Sequence, residues 1–110
     1  MTITFNSIEW SVHFVSADDK HLNYGGEHIP FLVNTITSDI YVQAEGISKH
    51  MIWLSLANAV SRAISFSHGV SFGDHDSIHD YMSKYCDDVI SAGYLLYTEH
   101  FREKPPVFAD

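Results

Sequence analysis

Leu56-Ala57-Asn58-Ala59-Val60-Ser61-Arg62-Ala63-Ile64-Ser65-Phe66-Ser67-His68-Gly69 decides the reading of this chain. Leu56, Ala57, Val60 and Ile64, with Trp53 one turn earlier, recur at the three- and four-residue spacing of a helix with one apolar face. Upstream, Ile47-Ser48 reads as a hydrophobic staple residue followed by an N-cap, with Ile52 at the staple's partner position. Downstream, His68-Gly69 supplies the stop, because glycine enters the left-handed C-terminal cap without a Cβ penalty. A helix of about five turns is therefore predicted in the middle of the chain.

The residues before it read as strands. Ile8, Trp10, Val12 and Phe14 alternate with Glu9, Ser11 and His13, the period of a half-buried strand. Ile29, Phe31, Val33 and Thr35 alternate again, and Ile40-Tyr41-Val42 forms a third short strand after Ser38-Asp39. Pro30 lacks an N–H, so the second strand is expected to begin near it or to lie at an edge. Ser16 to Lys20 and Asn23 to Gly26 read as turns.

The residues after it read as a second helix starting near Asp74-His75 and capped by Asp74 or Asp76. Ile78, Met82, Tyr85 and Val89 make its stripe, with Cys86 beside it. Gly93 interrupts at a cost of about 1 kcal/mol relative to Ala. Tyr94, Tyr97 and Phe101 continue the helical period, with a final strand from Tyr94 as the alternative, and Pro105-Pro106 ends regular structure. The fold class is α+β over a single domain, residues 1–110: a small, mainly antiparallel N-terminal sheet packed on two helices.

Composition narrows the partners. Fourteen Asp and Glu against six Lys and Arg give a formal charge of -8. Such a surface repels nucleic acid and anionic membranes and attracts basic proteins over a range set by salt. One cysteine, Cys86, excludes an internal disulfide. Met1 to Asn6 lacks the basic and apolar regions of a signal peptide, and no apolar run spans a bilayer, so a cytoplasmic protein is expected.

Taken in order, the Ile8–Val15 pattern I-x-W-x-V-x-F-V, Asp18-Asp19 with Leu22, the Thr37–Val42 strand and the two helices resemble the small zincin-like proteins related to SprT and ImmA/IrrE metallopeptidases. Many of these are encoded by phages and mobile elements. The resemblance covers roughly residues 8 to 100. It implies a zincin-like fold whose first helix carries H-E-x-x-H, two imidazoles on one face gripping a zinc ion and a glutamate acting as general base. Here those positions hold Asn58, Ala59 and Arg62. Asparagine is a poor zinc ligand, alanine accepts no proton, and arginine stays cationic beside a metal. The resemblance thus implies a scaffold without its chemistry, with Asn58 and Arg62 left as a polar contact pair where the family keeps its cleft.

Other candidates follow from the second helix. Asp76, Asp80, Asp87 and Asp88, with Glu99, compose an acidic face suited to a basic protein partner, although such a face usually serves only solvation. His75 and His79, four apart, with Asp76, form the rival metal constellation, in which zinc is the cofactor. Otherwise no cofactor is expected. The function these readings favour is non-catalytic binding, in the manner of a phage-encoded inhibitor of a bacterial defence system of the anti-CRISPR type. The alternatives are a divergent metallohydrolase using His75 and His79, and an immunity protein that neutralises a basic toxin.

Overall fold

The computed structural model describes residues 1–69 and 85–108. Among the described residues, six strands precede two helices: β1 (Thr2–Phe5), β2 (Ile8–Val15), β3 (Asn23–Tyr24), β4 (Glu27–His28), β5 (Phe31–Asn34), β6 (Asp39–Gln43), α1 (Lys49–Ser67) and α2 (Cys86–Phe101). The main sheet has the order β1-β2-β6-β5, and β3 with β4 makes a separate hairpin. β1 is an addition to the sequence reading. It folds back on β2 through Asn6 and Ser7, whose positive φ angles of 46° and 70° are those of the two-residue turn that matches strand twist.

The expectation of a mainly antiparallel sheet needs one correction. The flanking pairs β1–β2 and β5–β6 are antiparallel, but the central pair β2–β6 is parallel, so the sheet is mixed. The chain leaves β2, forms the β3–β4 hairpin and β5, and only then returns as β6 between β2 and β5. β5 starts immediately after Pro30 and lies at the edge; Pro30 meets Gln43 of β6 through its carbonyl alone, its missing N–H forgoing the reciprocal ladder bond.

Period-two alternation places the apolar row on one face. Ile3 stands opposite Trp10 and Phe5 opposite Ile8; Val12 lies beside Ile40 and Phe14 beside Val42; Phe31 and Val33 stand opposite Val42 and Ile40. All of them enter the hydrophobic core with α1 and α2. Trp10, Ile40, Val42, Leu56, Val60 and Tyr97 are wholly buried, each large apolar side chain contributing about 1.5–3 kcal/mol. The two tryptophans are core residues, with Trp53 packed edge-on to Tyr97 at 6.1 Å.

α1 begins as its sequence predicts: the Ser48 hydroxyl accepts from the Met51 N–H at 3.2 Å. It ends at His68, with Gly69 at a φ of +79°. It is buried on more than its apolar stripe. Ser55, Ala59, Ser61, Ala63, Ser65 and Ser67 are also buried, because α1 lies between the sheet and α2. Small side chains there let its neighbours approach closely.

α2 continues through Gly93 to Phe101, so the 94–101 segment is helix and not strand. It starts at Cys86 with Tyr85 as its N-cap; a single helix from Asp74 to Phe101 is therefore not formed. Ile78 and Met82 lie outside the described residues. Cys86, expected beside the buried stripe, is exposed at the first position of α2. Regular structure also resumes past Pro105: a 3-10 turn at Pro106–Phe108 sets Phe108 edge-on to Trp53 and Tyr94 at 5.7 and 5.3 Å. Lys49 and Glu103 pair across the helix ends. Among the described residues, no helix is long and apolar enough to cross a membrane.

Candidate binding cleft at the edge of the sheet

β5 is the outermost strand on its side of the main sheet. Its antiparallel register with β6 sets Phe31 opposite Val42, Leu32 opposite Tyr41 and Val33 opposite Ile40. Gln43 N donates to Pro30 O at 2.9 Å. Hydrogen-bonded and non-bonded pairs alternate along such a ladder, so Leu32 and Asn34 bond to β6 while Phe31 and Val33 turn their N–H and C=O groups away from it.

Beside this edge lies a cleft of about 460 Å³, walled by residues from Ile29 to Thr35 and by Arg62 of α1. Arg62 is half-buried. Its guanidinium carbon sits 5.4 Å from the centroid of the Phe31 ring, a cation–π contact that holds the long side chain against the sheet. No carboxylate pairs with it among the described residues. The cleft is thus apolar, with one cation at its wall.

The other sequence-derived candidates disperse. Asn58 is half-buried on α1 but is not among the residues that wall the cleft. Ala59, between the two, is fully buried in the core. Asp87 and Asp88 occupy the exposed first turn of α2, where the helix dipole favours acids. Asp88 also borders a second cleft of about 380 Å³ between β1, α1 and α2, with Asn6, His68 and Leu95. His75, Asp76, His79 and Asp80 lie outside the described residues. Among the described residues, no group of three or more His, Cys, Asp and Glu side chains is arranged to hold a metal ion.

The solvent-side face of the sheet carries a cluster that sequence reading missed. Tyr41 stacks on His13 at 4.7 Å and on His21 at 3.8 Å. His13 Nε2 bonds Asp39 Oδ1 at 2.9 Å, and His21 Nδ1 bonds Asp19 Oδ1 at 2.8 Å. The His13 bond, followed by one from Thr37, holds the Asp39 carboxyl below the usual carboxylate range. The His21 backbone N–H, followed by its ring, does the same for Asp19. Desolvation, reinforced by both carboxylates, pushes the Tyr41 phenol up. Each carboxylate orients one imidazole, Tyr41 covers one face of each ring, and both described clefts lie elsewhere. The cluster fastens the 3-10 turn Lys20–Leu22, with its buried Leu22, onto the sheet.

His28 extends this fastening to the β3–β4 hairpin, its Nε2 meeting Gln43 Oε1 at 2.7 Å and its Nδ1 meeting Asn23 Oδ1 at 3.0 Å. Both amides are fixed in orientation, since Gln43 Nε2 donates to Glu45 O and Asn23 Nδ2 donates to Ala17 O and Asp19 O. The outward positions of His13, Asp39 and Tyr41 were readable from strand alternation; their convergence with His21 was not.

Together the elements define an α+β domain with a mixed four-stranded sheet, two helices on its apolar face and an edge cleft walled by Arg62. No family model, curated protein or solved structure matches the chain.

Proposed function

We propose that this chain is a non-catalytic binding protein that engages a protein partner through the cleft between β5 and α1. The observation that carries this reading is Arg62. In a chain with fourteen acidic residues, a half-buried guanidinium lies on Phe31 at the wall of an apolar cleft, with no carboxylate paired to it among the described residues. A cation so placed is a pre-oriented donor set for a group brought by another molecule. The position that the zincin-like resemblance gives to the general base is Ala59, a core residue, which supports binding over hydrolysis. The charge of -8 favours a basic partner at long range, by steering. A protein with this equipment acts by occupying a surface, which is how an inhibitor of a basic effector or toxin works.

The test is affinity capture by the full chain from its source cells, identification of the retained protein, and reconstitution of the complex from purified components. Binding should weaken as salt rises from about 0.05 to 0.5 M, because the screening length shrinks several-fold, and Arg62→Gln should weaken it further. A reconstituted complex indifferent to both would sink the reading.

A further inference from the structure

The edge of β5 is built to accept another strand. The edge run Phe31-Leu32-Val33-Asn34 carries no charge, lysine or proline, the usual devices that keep a sheet edge from pairing. Phe31 and Val33 each present an outward N–H and C=O, and among the described residues nothing pairs with them. Side chains of an added strand that stand opposite Phe31 and Val33 fall on the α1 side of the sheet, where the cleft and Arg62 lie.

Resting on the binding reading above, we infer that the partner contributes an extended segment that adds to β5 as a fifth strand and sets a carboxylate against Arg62. Backbone bonding to Phe31 and Val33 gives the affinity; the carboxylate opposite Phe31 and small apolar side chains two residues to either side give the specificity. A second copy of this chain fits poorly: its own β5 run Phe31–Asn34 contains no acidic residue for Arg62, and two chains of charge -8 repel.

The probe is the peptide acetyl-Val-Thr-Glu-Thr-Val-amide, added to the full chain. Hydrogen exchange at the Phe31 and Val33 amides should slow on titration. Replacing the peptide Glu by Gln, or making Arg62→Gln in the protein, should each weaken binding about tenfold, and the two together little more, the signature of a direct pair. N-methylation of the peptide backbone at Glu should abolish binding while leaving the protein untouched. Millimolar peptide that leaves both amides exchanging as before overturns strand addition. Protection that grows with protein concentration and without peptide also overturns it, naming a second copy as the occupant. Neither result touches the binding reading, which is judged on the reconstituted partner complex.

Discussion

Gly93 of α2 faces the six-membered ring of Trp53 so closely that a Cβ on Gly93 would lie 3.2 Å from its Cζ3 and Cη2 atoms. The glycine read from sequence as a cost of about 1 kcal/mol is the place where the two helices meet. Gly93→Ala is expected to leave stability within about 0.5 kcal/mol of the parent, crowding offsetting the gain in helix propensity. Gly93→Leu should destabilise by about 3 kcal/mol or more, since Trp53 is wedged between Tyr97 and Phe108 and has nowhere to move. Urea unfolding of the two variants checks both values.

Two buried hydroxyls should respond oppositely to removal. Trp10 Nε1 donates to Ser67 Oγ at 2.9 Å inside the core. Ser67→Ala strands the indole N–H and should cost about 1–3 kcal/mol. The Tyr97 hydroxyl is buried and makes no hydrogen bond among the described residues, so Tyr97→Phe should raise stability by about 1 kcal/mol. Thermal unfolding at neutral pH distinguishes a loss from a gain.

Stability should fall with acid in two steps. Desolvation of His100, which stacks on Phe14 at 4.1 Å, lowers its pKa from the ordinary 6.5. Its contribution is complete above about pH 6.5 and is lost as pH falls through the lower folded value. Asp39 and Asp19 are held below 3.8 by their histidine contacts. Their contribution is complete above about pH 4 and is lost as pH falls through their folded values. His100→Gln should remove the first slope and Asp39→Asn should shrink the second. Midpoints of chemical unfolding measured from pH 7 to pH 3 give the answer, and a parent curve flat across that range would refute both assignments.

Ala59→Glu places an acid at the position where the zincin-like resemblance would carry one. It also forces a carboxylate into a site with no exposed surface. The variant should lose roughly 3 kcal/mol or more, or fail to fold, whereas Asn58→Gln on the same turn should change stability by under about 0.5 kcal/mol. Circular dichroism on the two variants separates a core position from a half-buried one.

The alternating runs around Trp10, Phe31 and Ile40 were legible because a half-buried strand must place every second side chain inward. The Ser48 cap and the Gly69 stop were legible because helix ends have few chemical solutions. β1 and the β3–β4 hairpin were not, since such short strands show no period and are fixed by Asn6, Ser7, Gly25 and Gly26 backbone geometry. The parallel pairing of β2 with β6 was hidden too, because alternation reports which face a residue takes and not which strand it meets. Arg62 drew notice through its register with H-E-x-x-H; its seat on Phe31 depends on a strand far away in the chain, and no local pattern encodes that.

The placement of β6 between β2 and β5 has a consequence for assembly. Until Asp39–Gln43 is available, β2 and β5 have no shared neighbour, and the N-terminal segments can form little beyond isolated hairpins, which are marginal in water. β6, the last strand of the main sheet to be synthesised, is the one that zips it, closing the excursion from β2 and creating the β5 edge in the same event. That loop closure is entropically costly before any side chain is rewarded. A ribosome-bound chain stopped before Gln43 should therefore be protease-sensitive throughout, and one extended past α1 should gain protection in strands β2, β5 and β6 together.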